Sequence, residues 1–293
     1  PVYKLFGQQH RSWVPVGSWT VSTHPERMAE AVTRYAARGY TWMKSHLSPF
    51  ENVFDQTEAM QRVAPPGFRV HYDFTMHGTD DHMPELLDKL AEYPLAGCFE
   101  DPLPPGDIEG YIDLRKRAKL PIVLHHFPLG ASYEVLMSPA DIYMLGHSRI
   151  GDAVRRAGLF AAAGKPFMLQ NVGGAITRAM TVHMMAAFPT ATFHCHNDTE
   201  TWQSDVVKER LEPINGFVRV PEKAGLGLTL NREALEQLKH LEAPPQKKWI
   251  IKSRFQNGTR MYNIADPDQS IFMVRPDRSR LISMSYAAPI ETE

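Results

Sequence analysis

Between residues 13 and 196 the chain alternates short apolar runs with longer stretches whose apolar residues recur every three to four positions. The runs span 13–21, 40–46, 68–74, 95–101, 121–126, 140–145, 166–171 and 191–196, and their length and composition read as strands. Between them the spacing predicts helices over 24–39, 53–64, 83–93, 108–118, 152–164 and 175–188, with a short one near 132–137. In the first helix Met28, Ala31, Val32 and Tyr35 fall on one face, Pro25 suits the first turn and Gly39 the stop. Eight strand-like runs joined by crossovers of helical length argue for parallel strands, and eight parallel strands close naturally into a barrel. A doubly wound open sheet is the alternative, but no glycine-rich phosphate loop follows the first run.

The pattern changes near residue 240. A proline-marked connection, "EAPPQKK" (242–248), leads to "WIIKSRFQNGTRMYNI" (249–264), whose Asn257-Gly258 is a hairpin signal. "SIFMV" and "RLISMSY", on either side of "RPDRS", predict a second hairpin. The expected architecture is therefore a modified TIM-type (β/α) barrel over 1–240 with a small C-terminal β appendage over 241–293.

Composition removes several classes of function. Of 293 residues 43% are hydrophobic and 22% charged, and a net charge of −1 without basic runs argues against nucleic acid and membrane surfaces as partners. No apolar segment reaches the ~18 residues that cross a bilayer, and the first thirty residues do not read as a signal peptide. With only Cys98 and Cys195, a disulfide framework is not indicated and the cytoplasm is the expected compartment. A start at Pro1 rather than Met suggests a processed chain or a fragment.

In such a barrel the chemistry sits at the C-terminal ends of the strands. The second run ends with Lys44 and His46 on one face, and the third with Asp73 on the same face as His71 and Arg69. The fourth ends with Glu100-Asp101, the fifth with His125-His126 and the seventh with Gln170-Asn171. The eighth carries His194 and His196 on one face, with Phe193 and Cys195 expected to face the helices. Two carboxylates and an imidazole on adjacent strands can converge on one divalent cation, and Lys44 and His46 across the mouth could act as general acid or base. His147 and Arg149, after the sixth run, could meet an anionic substrate. Solvated rim residues are the bland alternative for all of them.

In this order and spacing, several segments resemble the enolase superfamily, specifically its mandelate racemase and muconate lactonizing branch with the sugar-acid dehydratases. The resemblance covers roughly 1–240 and is carried by "PVYKLFGQQHRSWVPVGSW", "MKSH", "FRVHYDF", "FEDPLPPGDIEGYIDLRKRAKLPI" and "INGFVRVPEKAGLGLTL". It implies Asp73 and Glu100 as metal ligands, with His126 replacing the third carboxylate and His125 the glycine before it. The implied metal is Mg²⁺, and an imidazole ligand makes Mn²⁺, Fe²⁺ or Zn²⁺ more competitive.

The implied reaction removes the proton α to the carboxylate of a hydroxy or sugar acid through an enediolate, followed by loss of a β-hydroxyl. A racemase or epimerase, or a non-catalytic ligand-binding barrel, are the alternatives. His46 stands where the family has its second lysine, so His46 or Lys44 is the expected base. His77 or a strand-eight histidine, His194 or His196, is the expected acid, and His147, Arg149, Gln170 and Asn171 are expected to bind substrate. The family's His-Asp dyad falls on Gln170 and Gly146, neither of which can take a proton. Its strand-eight acidic position falls on Cys195, although alternation favours His194 or His196 facing inward. The family's N-terminal capping domain is absent from the chain, which implies a fragment or a lid from another chain. A symmetric homo-oligomer is expected from the family.

Overall fold

The first run does not form one strand. A computed structural model describes residues 1–48, 51–75, 82–104, 106–125, 136–242, 249–265 and 281–289. In it the run divides into β1 (Trp13–Pro15) and β2 (Ser18–Val21). Pro15 lacks the N–H that would continue a ladder. Gly17 bends the chain tightly against the His196 ring, where a β-carbon would stand 2.5 Å from Cε1. β1 turns away to pair antiparallel with β9 (Phe217–Arg219), and β2 alone enters the barrel.

From there the predicted alternation holds. It runs α1 (Pro25–Ala37), β3 (Trp42–His46), α2 (Val53–Val63), β4 (Arg69–Asp73), α3 (Met83–Leu90), β5 (Ala96–Glu100), α4 (Ile108–Arg117) and β6 (Ile122–Leu124). β7 (Ile142–Gly146), α5 (Ile150–Ala162), β8 (Phe167–Gln170) and α6 (Ala175–Ala187) follow. The helix expected near 132–137 falls mostly outside the described residues. Seven strands, β2 to β8, form one parallel sheet in sequential order. The eighth run is not a strand: it contributes two parallel bridges, Val16 with Cys195 and Gln170 with His196. His196 N–H donates to Leu169 O (3.2 Å), Cys195 N–H to Pro15 O (2.9 Å) and Gly17 N–H to Cys195 O (2.9 Å), so a minimal stave closes the curl.

Two apolar layers hold this sheet. On its outer side Met43, Val70, Tyr72, Phe99, Leu145 and Phe167 pack with helix residues such as Met28, Val32, Leu87, Phe160 and Val182 in one buried cluster. The four α1 residues predicted to share a face are the four that are buried. Inside, Cys98, Val123, Ile142, Met144 and Met168 form a second cluster with Trp42 and Phe193. The inward positions then change character along each strand, from Trp42 to Lys44 and His46, from Cys98 to Glu100, and from Met168 to Gln170. An apolar plug thus lies beneath a charged mouth.

Beyond the barrel lie α7 (Arg232–Leu238) and the strands β10 (Trp249–Phe255), β11 (Arg260–Ala265) and β12 (Leu281–Pro289). These three strands form their own antiparallel sheet in the order β11-β10-β12. Its first hairpin turns at Asn257-Gly258 as predicted; Gly258 adopts φ 90° and Asn257 Oδ1 accepts from Thr259 N–H (2.9 Å). The strand expected at 270–274 lies outside the described residues. Among the described residues no helix is long and apolar enough to cross a membrane.

A buried ion pair fastens the closure. Arg178 on α6 donates through Nη2 to Tyr40 OH (2.8 Å) and reaches Glu200 Oε2 (3.2 Å), while Glu200 Oε1 accepts from Trp19 N–H (2.6 Å). Removing one partner of a buried pair leaves an uncompensated charge. Arg178→Met is therefore expected to cost about 3–5 kcal/mol of stability in urea unfolding, and Tyr40→Phe about 1 kcal/mol. Equal, small losses in both variants would show that the pair does not carry the closure.

Candidate active site

The mouth is organised around an ammonium group. Pairing of β3, β4 and β5 sets His46 beside Asp73 and Asp73 beside Glu100. Lys44, two residues before His46, extends between the carboxylates. Its Nζ lies 3.0 Å from Asp73 Oδ2 and 2.7 Å from Glu100 Oε2, and it donates to Gln170 Oε1 at 2.9 Å. Lys44, Asp73 and Glu100 are 1%, 1% and 0% exposed, so solvent screens none of these contacts. Burial alone would lower the Lys44 pKa, but Asp73 and Glu100 outweigh it and hold the amine above its usual value. Burial would likewise raise Glu100, yet Lys44, His125 and His71 hold it well below the ordinary carboxylate range. Lys44 and Glu100 are both charged across neutral pH, and Lys44 is a fixed cation rather than a proton acceptor.

Of the two histidines ending the fifth run, His125 is described and His126 is not. His125 Nδ1 lies 2.9 Å from Glu100 Oε1, and its backbone N–H donates to Asp101 Oδ1 (2.8 Å). Gly146 makes room for this ring, since a β-carbon there would fall 1.9 Å from His125 Nε2. His46 stands at the outer edge, with Nε2 3.8 Å from Asp73 Oδ2 and a side chain 33% exposed. His77 lies outside the described residues.

Beneath Glu100 is a layer of imidazoles. His71 Nε2 is 2.7 Å from Glu100 Oε2, a close contact although the ring is tilted off the hydrogen-bond direction. His71 Nδ1 meets His194 Nε2 at 3.0 Å, His194 stacks on Trp42 with centroids 4.3 Å apart, and His196 Nδ1 donates to Gly17 O (3.2 Å). Burial, reinforced by neighbouring imidazoles, pushes His194 and His196 well below the ordinary histidine value, so both are neutral. Cys195 belongs to the helix-facing cluster as alternation predicts, but Phe193 does not; it joins the interior against Trp42, with centroids 5.3 Å apart. Extended pairing begins only at Cys195, so the two-residue period does not reach Phe193.

Of the residues expected to bind substrate, Gln170 is engaged with Lys44, and Asn171 donates outward to Thr181 Oγ1 on α6 (3.0 Å). His147 and Arg149 are exposed just past β7. Four non-glycine residues just past the strand ends hold left-handed backbone: Thr75, Asp101, His147 and Asp198, at φ 51°, 44°, 47° and 58°. Strain of this kind gathers where side chains must be aimed. Thr75 N–H uses it to donate to Asp73 Oδ1 (2.9 Å). Asp198 escaped the sequence reading; it is almost buried, and its Oδ1 has no hydrogen-bond partner among the described residues. Its only sequence signal is an acidic side chain two positions beyond His196.

Asp73 Oδ2 and Glu100 Oε2 converge within 3.0 Å of one point, and the His125 imidazole lies against the other Glu100 oxygen. Carboxylates from adjacent strands with a nearby imidazole are a fitting donor set for a divalent cation. One ammonium offsets only one of the two negative charges, so a cation would share these carboxylates with Lys44.

A family model described as enolase C-terminal domain-like matches residues 27–234. The chain is 21% identical over 255 residues to an arabinonate dehydratase of Saccharolobus solfataricus, covering 82% of this chain and 67% of that protein. To a D-xylonate dehydratase of Haloferax volcanii it is 27% identical over 187 residues, covering 61% of this chain and 44% of that protein. It therefore spans about half to two thirds of these relatives. Its fold superposes on a mandelate racemase/muconate lactonizing family protein from Azoarcus sp. EbN1 with a TM-score of 0.69 at 21% identity, covering 83% of this chain and 70% of that one.

Burial, with a smaller contribution from the Glu200 charge, pushes the Asp198 carboxyl up to about 6. The folded state therefore binds this proton more tightly than the unfolded chain. The proton contributes no net change in stability below pH ~4, and stability is lost as pH rises from there through about 6. Asp198→Asn is expected to flatten that slope and to raise neutral-pH stability by up to about 3 kcal/mol. Unfolding midpoints across pH 4–8 check this, and an unchanged slope would contradict it.

Proposed function

Because the chain belongs to the enolase C-terminal domain-like family, we propose that its mouth removes the proton α to the carboxylate of a hydroxy acid, with loss of a β-hydroxyl as water. The observation that carries this reading is Lys44 fixed as a cation between Asp73 and Glu100 with the His46 imidazole alongside. The two dehydratase relatives are named for arabinonate and D-xylonate, which supports a sugar acid as the substrate class.

Asp73 and Glu100, with an imidazole from His125 or His126, would hold a divalent cation, Mg²⁺ or a softer ion. When bound, that ion supplies positive charge against the substrate carboxylate and the electron density released on deprotonation. Lys44 keeps its proton and adds a second positive charge to the same region; it does not act as base. His46, the accessible imidazole of the mouth, takes the α-proton, and Asp73 beside it stabilises the imidazolium that results. The departing hydroxyl needs one proton to leave as water, and we assign that role to His77 or Asp198. His194 and His196 are neutral and buried beneath Glu100, which leaves them unsuited to it. His147 and Arg149, exposed at the rim, are proposed to meet the polar end of the substrate.

The test is incubation with a panel of pentonic and hexonic acids and Mg²⁺ or Mn²⁺ in D₂O, following 2-keto-3-deoxy acid formation and α-deuteration. Water loss is expected for at least one acid, and His46→Asn is expected to reduce kcat about 10²–10⁴-fold. Deuterium exchange without water loss would replace dehydration by racemisation or epimerisation. Neither signal from any acid would overturn the proton-abstraction reading in favour of a ligand-binding barrel.

A further inference from the structure

We infer that His71, His194 and His196 form a three-nitrogen site for a transition-metal dication of the zinc class, distinct from the oxygen donors of the mouth. One ring nitrogen from each of the three lies within 4.8 Å of the other two, and all three side chains are essentially inaccessible.

The His196 tautomer is set from outside the cluster. His196 Nδ1 donates to the Gly17 carbonyl, which leaves Nε2 as a lone pair. That Nε2 is buried and has no hydrogen-bond partner among the described residues. His71 Nε2 faces the Glu100 carboxylate at 2.7 Å, which turns Nδ1 inward to within 3.0 Å of His194 Nε2. A histidine that rests its far nitrogen on a carbonyl or carboxylate has the outer arrangement typical of a metal-bound imidazole. With metal–nitrogen bonds of about 2.0–2.1 Å, neighbouring ligands of a tetrahedral site stand about 3.3 Å apart. The 3.0 Å pair needs to open only slightly, and His196 needs to move inward.

Three core imidazoles bonded only to one another would account for the contact between His71 and His194. They would not account for His196 Nε2, since a buried polar atom without a partner opposes folding. Gly17 adds a second constraint. A β-carbon there would stand 2.5 Å from His196 Cε1 and 3.0 Å from His194 Cδ2, so two of the three rings are seated by its missing side chain. Nitrogen donors select Zn²⁺, Ni²⁺, Cu²⁺ or Fe²⁺ over Mg²⁺, and three histidines leave one position of a tetrahedral ion for a small exogenous ligand.

The experiment loads the chelator-treated full chain with Zn²⁺ alone, removes excess by dialysis and measures retained metal, with affinity taken from competition against a chromophoric chelator. Retention of one equivalent is expected in the wild type and in Asp73→Asn. Retention should be lost in His196→Ala, and Gly17→Ala is expected to weaken affinity about 10–100-fold. Should the variants misfold, Co²⁺ loading of the wild type decides, because tetrahedral nitrogen coordination gives intense visible bands that six-coordinate oxygen ligation does not. A wild type that retains no Zn²⁺, or that binds Co²⁺ without those bands, overturns the site. Retention lost in Asp73→Asn but kept in His196→Ala also overturns it and moves the ion to the mouth. Turnover of sugar acids is not used, so failure here and failure of the proposed reaction are separately visible.

Discussion

An ammonium group closed off from solvent between two carboxylates is the constraint on which the mouth depends. Lys44 could not be buried without Asp73 and Glu100, and neither carboxylate could be buried without a cation within reach. The three come from neighbouring parallel strands, so backbone pairing alone brings them to one level. The remaining contacts complete their valences: Gln170 Oε1 accepts a hydrogen bond from Lys44, Thr75 N–H donates to Asp73, and His125 and His71 flank the two oxygens of Glu100. Lys44 and Glu100, each holding the other charged, do not titrate near neutrality. In the proposed reaction, proton transfer at neutral pH therefore falls to other groups, the partly exposed His46 and the strained Asp198, rather than to the lysine.

Closure of the barrel obeys the same economy. The eighth stave is reduced to Cys195 and His196, and it holds because Pro15, Gly17 and Leu169 offer backbone partners on both sides. A longer strand would have carried alternate side chains outward. The short one lets Phe193, His194 and His196 all face inward, with Phe193 in the plug and the two imidazoles directly under Glu100. Arg178, Tyr40 and Glu200 then fix the chain immediately after this stave to α6 and to the segment entering β3.

Much of this was legible because it is periodic. Lys44 and His46, His71 and Asp73, and the helix-facing residues of α1 follow from a spacing of two or of three to four. The family resemblance then singled out Asp73 and Glu100. What escaped is non-local. The division of the first run depends on a ring from residue 196 pressing on Gly17, and the room for His125 depends on Gly146 at the end of another strand. The pair of Arg178 and Glu200 carries no local sequence signal, and the elevated Asp198 carboxyl arises from burial and the Glu200 charge rather than from its neighbours in sequence. Phe193 was misread because alternation was applied to residues that are not yet in a strand.

Glu100 links the two halves of the interior. Its Oε1 faces Lys44 and His125 in the mouth, and its Oε2 faces Lys44 from above and His71 from below. A cation bound on the imidazole side would draw on the same carboxylate that anchors the mouth, through His71, and a cation in the mouth would do the reverse. Replacing Glu100 would therefore disturb both halves together and separate nothing. Asp73 contacts Lys44 and His46 but none of the lower imidazoles in the described contacts, whereas His196 rests on Gly17 and touches no mouth carboxylate. In the two proposals these positions separate the oxygen donors of the mouth from the nitrogen donors beneath it, because each belongs to only one of the two proposed donor sets.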